Sequence, residues 1–154
     1  MQHSIDKVRI QQATEAEAAQ LCKLLSLLFA QETDFKPDTR RQSRGLRLIL
    51  NQPEVGIIYC ATKGKSVIGM VSILFTVSTA EGGRAAWLED MVVHPDWRGK
   101  SIGAQLLHEA INRVRAAGCT RITLLTDSTN GAAIHFYEKA GFVRSGMIPL
   151  RLRL

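Results

Sequence analysis

The sequence predicts a single α/β domain over residues 1–154, of mixed α+β character: a mixed sheet with helices on both faces. Two observations carry this. The order of elements runs β, α, α, three strands, then alternating β and α segments, with only short structureless stretches and no linker or repeat. At 154 residues, with 45% hydrophobic and 22% charged residues, the chain has the size and balance of one ordinary soluble core that needs no disulfide or metal.

Taken in order, Val8-Arg9-Ile10-Gln11 alternates as a short strand, and Thr14 followed by Glu17 forms a capping box that opens a helix running to about residue 30. Ala18, Leu21, Leu25 and Leu28 recur at three- and four-residue steps and give that helix one buried stripe. Pro37 breaks the pattern. A second helix spans residues 39–50 and ends before Asn51-Gln52-Pro53. Residues 57–62 and 67–75 are rich in β-formers and flank Lys63-Gly64-Lys65-Ser66, which predicts an antiparallel hairpin. Beyond Glu81-Gly82-Gly83 a strand covers residues 86–93 and stops at His94-Pro95, because proline lacks the ladder donor. A helix over residues 101–117, with Ile102, Leu106, Ala110, Ile111 and Val114 inward, ends at Gly118. A buried strand at residues 121–126, a helix at 132–140 capped by Gly141, and final strands at 142–143 and 147–154 complete the chain.

Composition excludes several function classes. No apolar run approaches membrane-spanning length, and Met1-Gln2-His3-Ser4-Ile5-Asp6 lacks a basic start and apolar stretch, so a cytoplasmic protein without membrane partners is expected. Cys22, Cys60 and Cys119 fit neither a disulfide framework nor zinc spacing, and His3, His94, His108 and His135 form no ligand pair, so no metal is expected. The net charge of +6 comes from scattered groups, at Arg40, Arg41, Arg44 and Arg47, at Arg98 and Lys100, and at Arg151 and Arg153. None is interleaved with aromatic residues that would stack on bases, so no nucleic-acid partner is expected. The tail at 147–154 alternates apolar and basic residues in the manner of an edge strand or a homodimer contact.

One segment invites an anion. Val93-His94-Pro95-Asp96-Trp97-Arg98-Gly99-Lys100-Ser101-Ile102-Gly103 leaves a strand, crosses a loop and enters a helix, where the first backbone N–H groups lack internal partners at the positive end of the dipole. Gly99 and Gly103 remove Cβ atoms, while Arg98 and Lys100 add charge. Alone, the segment reads equally as a surface turn. Gly99-Lys100-Ser101 copies the end of a nucleotide-triphosphate loop, yet the pattern would need glycine where His94 stands, and no Gly-x-Gly-x-x-Gly occurs.

The residues Leu88-Glu89-Asp90-Met91-Val92-Val93-His94-Pro95-Asp96-Trp97-Arg98-Gly99-Lys100-Ser101-Ile102-Gly103 resemble the acetyl-CoA segment of the GNAT N-acetyltransferase superfamily, whose pattern is Arg/Gln-x-x-Gly-x-Gly/Ala. Ser101 departs from it where glycine is usual. A second block, Asn130-Gly131-Ala132-Ala133-Ile134-His135-Phe136-Tyr137-Glu138-Lys139-Ala140-Gly141-Phe142, resembles the family's Asn-x-x-Ala-x-x-Phe-Tyr-x-x-x-Gly-Phe signature. The two blocks cover over a third of the chain, and the Trp-Leu-Glu-Asp run is locally similar to spermidine/spermine and related diamine acetyltransferases.

The resemblance implies a central mixed, mostly antiparallel sheet whose one parallel strand pair splays apart to admit the pantetheine arm. It implies acetyl-CoA as co-substrate, held by the backbone of Met91, Val92 and Val93, by the turn Arg98, Gly99, Lys100, Ser101, Ile102, Gly103 and Ala104, and by Asn130 and Tyr137. The acceptor is then a small-molecule primary amine that attacks directly in a ternary complex. An alkylammonium has a pKa of ~10.4, so a base is useful; the resemblance assigns that role to Glu89, with Asp90 as an acceptor contact. Neighbouring strand residues face opposite ways, so both serve only where a bulge re-aims one; otherwise one is a solvated carboxylate. Tyr137 stands where the family places a tyrosine near the sulfur, to hydrogen-bond the departing thiolate, and reads equally as a core aromatic. Asn130 reads equally as a helix N-cap. The acceptor pocket draws on Phe29, Glu32, Asp34 and Phe35, acidic and aromatic groups suited to a cation, although each also has an ordinary capping or packing role. The alternative function is a non-catalytic CoA-binding sensor or interaction module of the same fold.

Overall fold

The computed structural model describes residues 7–154. The expectations for residues 1–6, His3 among them, lie outside the described residues. The chain divides into two compact units, the first ending at Leu124 and the second running from Leu125 to Leu154. No helix among the described residues is long and apolar enough to cross a membrane.

In the first unit, β1 (Arg9–Gln12) leads to the Thr14 capping box, where Thr14 and Glu17 bond each other's backbone and side chain over a short 3₁₀ turn, Glu15–Glu17. The chain then enters α1 (Ala18–Gln31), followed by α2 (Thr39–Leu50), whose first turn is capped by the Asp38 carboxylate on the Arg41 N–H at 3.0 Å. β2 (Gly56–Lys63), β3 (Ser66–Ser78) and β4 (Gly83–Val93) follow as an antiparallel meander. A 3₁₀ turn at Pro95–Trp97 leads into α3 (Ile102–Ala116), and β5 (Ile122–Leu124) closes the unit. The sheet order is β1-β2-β3-β4-β5, antiparallel throughout except for β4 beside β5, which run parallel. A mixed, mostly antiparallel sheet with one parallel pair is therefore the observed architecture.

Alternation along the strands assigns the faces. Ile58, Cys60, Met70 and Val92 join Leu21, Cys22, Leu24, Leu25 of α1 and Leu46 of α2 in one core. On the opposite face, α3 buries Ile102, Leu106, Leu107, Ala110 and Val114, and a Cβ at Gly69 would meet Leu106 and Ile102 at 3.1 and 3.5 Å. Within the α1 layer, Gln42 is buried but fully used: its amide NH₂ donates to the Cys22 carbonyl at 3.0 Å and to Ser26 Oγ at 2.9 Å, and its Oε1 accepts the Asp38 N–H at 2.8 Å. That bracket fixes α2 against the half of α1 that leads to Glu32.

In the second unit, α4 (Gly131–Lys139) is capped by Asn130 and ends at Gly141, whose φ of 100° only glycine adopts without strain. The final strands expected at 142–143 and 147–154 are not formed. Gly146 bends the chain, Pro149 has no N–H to donate, and Val143, Met147, Ile148, Leu150, Leu152 and Leu154 are all exposed.

Gly56 opens β2 where a Cβ would stand 2.4 Å from the Ile73 carbonyl oxygen and 3.2 Å from Ile49. Because the obstacle is backbone, Gly56→Ala is expected to cost about 1–3 kcal/mol, measured as a lowered urea midpoint at unchanged m-value.

Candidate functional site

The site is built along β4. From Gly83 to Leu88 that strand pairs with β3 on one side and, over its last three residues, with β5 on the other: Ala86, Trp87 and Leu88 lie beside Ile122, Thr123 and Leu124. There the ladder to β5 ends, while β4 continues five residues further to Val93. Its register with β3 shifts at the same place. Leu88 faces Ile73 and Asp90 faces Ser72, so Glu89 is the extra residue of a β-bulge.

Beyond the bulge the hydrogen-bond phase follows from the His94 N–H, which donates to the Ile68 carbonyl at 2.8 Å. Antiparallel partners alternate between bonded and non-bonded pairs. Hence Val92 and Asp90 turn their backbone groups toward β3, whereas Met91 and Val93 turn theirs away from it, toward the side that β5 has left. The Val93 carbonyl accepts the Arg98 Nε–H at 3.1 Å. Met91 thus turns its N–H and C=O, and Val93 its N–H, past the end of the parallel ladder, about 7 and 13 Å along the strand from the bulge. The parallel ladder of β4 and β5 ends at Leu88, short of the Met91–Val93 segment that the resemblance assigns to the donor.

The carboxylates gather at the bulge. Asp90 lies on the α1 face, and its neighbours in charge are Glu89 beside it and Glu32, the residue that ends α1. Burial first, then repulsion from Glu89 and Glu32, pushes the Asp90 carboxyl up from 3.8 to about 7, against the opposing hydrogen bond of Ser72. Phe35 stacks at a tilt on Phe29, with ring centroids 6.1 Å apart, and keeps 43% of its surface exposed. Of the residues expected at the acceptor pocket, the structure brings Glu32 into electrostatic reach of Asp90.

The turn has a cause for each residue. His94 Nδ1 accepts the Asp96 N–H at 3.2 Å and Pro95 starts the 3₁₀ turn. Gly99 has φ 73° with open space where a Cβ would stand, so glycine is required there by conformation and not by crowding. Ser101 has φ 62° and ψ 14°, and is the single non-glycine residue with positive φ among the described residues. Its hydroxyl makes no capping bond. The position is left-handed, which is why glycine, usual here in the family pattern, suits it better than serine. The N–H groups of Ile102, Gly103 and Ala104 open α3 with no intrahelical partner and no acidic residue in the first turn. A hollow of about 300 Å³ beside them is lined by Ile10, Ser101, Ala104, Gln105, His108 and Glu109.

One residue that the sequence reading did not place at the site, Lys63, stands at the turn. The ammonium groups of Lys63 and Lys100 lie 4.8 and 4.6 Å from the centre of the Trp97 ring, so Trp97 holds two cations next to Arg98. Lys63 carries no sequence signal, since only the sheet register brings the β2 end to this loop. Ser72 was also unread, although it is a lone hydroxyl in the apolar run of β3. A larger groove of about 760 Å³ along α2, lined by Arg40, Arg44 and Arg47 among others, shares no residue with the turn or the bulge.

In the second unit, Asn130 Oδ1 accepts the Ala133 N–H at 3.1 Å as the N-cap of α4. The Tyr137 ring packs edge-on against Phe136 and Phe142, with centroids 5.1 and 5.6 Å away.

A short parallel pair, a bulge and a left-handed turn into α3 are joined by a direct match. The model of the acetyltransferase (GNAT) family matches residues 19–142. The chain belongs to the GNAT family. It is 28% identical over 106 residues to an uncharacterized N-acetyltransferase of Methanocaldococcus jannaschii, covering 69% of this chain and 47% of that protein. A glucosamine 6-phosphate N-acetyltransferase of Trypanosoma brucei brucei is 33% identical over 86 residues, covering 55% of this chain and 56% of the relative. This GNAT chain spans about half the length of the curated relatives it matches. A solved structure described as a possible acetyltransferase from Clostridium difficile 630 superposes with a TM-score of 0.85 over 96% of this chain and 97% of its own, at 16% identity, and shares the fold.

Two outcomes test this geometry. Ser101→Gly relieves the left-handed strain and is expected to raise stability by about 1 kcal/mol, after the entropy glycine adds to the unfolded chain, read by chemical denaturation. Asp90 holds its proton in the folded protein at pH values where the unfolded chain has lost it, so its contribution is full below about pH 4 and is lost as pH rises through about 7. Asp90→Asn removes that penalty: its melting temperature is expected to exceed the parent's at about pH 8, with the gap closing toward pH 4.

Proposed function

We propose that residues 1–154 act as one acetyltransferase domain that moves an acetyl group from acetyl-CoA to a small-molecule primary amine by direct attack in a ternary complex. The observation that carries the reading is the junction on β4, where an acidic bulge and a cationic turn lie at the two ends of one unpaired strand edge. Each end suits one substrate.

At the turn, the α3 amides of Ile102, Gly103 and Ala104, the backbone of Gly99 and Ser101, and the charges of Arg98 and Lys100 bind the pyrophosphate of the donor. The outward N–H and C=O of Met91 and the N–H of Val93, flanking Val92, bond the pantetheine arm in place of a neighbouring strand and polarise the thioester carbonyl. Asn130 and Tyr137 contact the donor on the strength of the family resemblance. For Asn130 the side-chain carbonyl already caps α4, so the remaining NH₂ makes that contact. Tyr137 hydrogen-bonds the leaving thiolate; phenol and thiol pKa values of about 10 and 8.5 make it a donor before it is an acid.

At the bulge, Glu32, Glu89 and Asp90 draw in a cationic amine, and Phe35 offers it an aromatic face. In the diamine branch that the Trp87-Leu88-Glu89-Asp90 run resembles, the glutamate takes the proton and the aspartate holds the amine. The cysteines favour direct attack over an acyl-enzyme. Cys60 is fully buried, and burial, aided by Glu17, pushes its thiol up to about 11, which leaves almost no thiolate to act as nucleophile.

The test is a thermal-shift titration with acetyl-CoA and CoA, followed by an acetyl-CoA turnover screen over polyamines, amino acids, aminoglycosides and peptide N-termini. Acetyl-CoA at about a hundred times its Kd is expected to stabilise the fold by about 2.7 kcal/mol. Absence of any shift overturns the donor site. A shift without turnover on any amine favours the non-catalytic CoA-binding module.

A further inference from the structure

The middle of β3, from Val67 to Leu74, is apolar on both faces apart from Gly69 and Ser72. Ser72 is fully buried, at 0% exposure. A buried hydroxyl needs partners, and this one spends both of its capacities on one residue. Its Oγ accepts the Asp90 N–H at 3.1 Å and donates to Asp90 Oδ2 at 3.2 Å. Ser72 and Asp90 are register partners at the place where Glu89 disrupts the ladder. The hydroxyl therefore ties the backbone and the carboxylate of Asp90 together at the one irregular point of β4, while Glu89, the extra residue, is left exposed.

We propose that Ser72 is a positioning residue that clamps Asp90 at the bulge, and that Asp90, in place of Glu89, is the carboxylate that accepts the amine's proton. This rests on the acetyl-transfer reading above. An ammonium R–NH₃⁺ gives one proton to Asp90. The freed lone pair forms the C–N bond at the thioester carbon, the C–S bond breaks, and the second nitrogen proton goes to the departing thiolate. Asp90 then returns its proton to solvent. A base works best when its pKa lies near the working pH, and the groups that face Asp90 set it there: burial on the α1 face, Glu89 from its own strand and Glu32 from the end of α1 raise its proton affinity, while Ser72 from β3 lowers it. Glu89 and Glu32 supply the negative field that draws the cation in.

The experiment pairs kinetics with a readout independent of turnover. kcat/KM for an amine found by the screen is followed against pH in the parent and in Ser72→Ala, Ser72→Cys, Asp90→Asn and Glu89→Gln. The ¹³C shift of the Asp90 carboxyl is titrated in the parent and in both Ser72 variants. In the parent the acid limb of kcat/KM is expected to coincide with the Asp90 titration. Ser72→Ala moves both upward by about one pH unit, a tenfold loss on the limb with the alkaline plateau retained. Ser72→Cys, a weaker donor of similar size, moves them less and serves if the alanine variant fails to fold. Asp90→Asn abolishes the limb; Glu89→Gln keeps a limb but moves it to lower pH, because the Glu89 charge raises the proton affinity of Asp90. An Asp90 titration unmoved by either Ser72 variant overturns the clamp. A limb that survives Asp90→Asn, or vanishes in Glu89→Gln, overturns Asp90 as the base. If the parent acetylates no amine, the transfer reading fails, and the carboxyl titration still decides the clamp.

Discussion

One extra residue in β4 governs the chemistry available to this fold. A strand in a complete sheet spends its N–H and C=O groups on both neighbours and presents only side chains. Here β5 stops beside Leu88 and Glu89 is inserted at the next position, so β4 keeps its pairing to β3 while losing its pairing on the other side. The bulge re-aims neighbouring side chains, and the parallel ladder ends before the backbone groups of Met91 and the N–H of Val93, the Val93 carbonyl being taken by Arg98. Either feature alone would give an acidic strand or an open edge. Together they set an acidic group beside a hydrogen-bonding edge on a segment held rigidly by β3.

Charge follows the same axis. Toward the bulge the local field is negative, from Glu32, Glu89 and Asp90. Beyond Val93 it turns positive, from the α3 start, Arg98, and the two lysines held on Trp97. In the acetyl transfer proposed above, such a gradient orients a donor with an anionic end and an acceptor with a cationic one, so that their reactive ends meet on the strand between. The fold bears costs for it. Ser101 is held in a left-handed conformation, and Asp90 is half-buried among like charges. Both lie at the proposed site, which is where departures from local consistency are expected in a functional protein.

The GNAT assignment was legible because the turn at residues 98–103 and the Asn130–Phe142 block are local in sequence, with their glycines and cations at fixed spacing. Much of the layout was legible for the same reason: the Thr14–Glu17 box, the period of α1, the bounds of α2, and the hairpin at Gly64 are all encoded within a few residues. The expected C-terminal strands were not formed, because alternation at 147–154 shows a chain able to pair but supplies no partner, and Pro149 withholds a donor.

By itself, the sequence determined which residues carry charge near the turn and the bulge, and that Glu89 and Asp90 needed an irregular strand to act together. Only the tertiary structure decided that the bulge exists, that Ser72 from another strand grips Asp90, that Glu32 at the end of α1 adds its charge, and that Lys63 joins Lys100 on Trp97. The physical reason is range. Capping, periodicity and turn geometry act between residues a few positions apart, whereas register across a sheet and the burial of a carboxyl depend on which distant segments share a face.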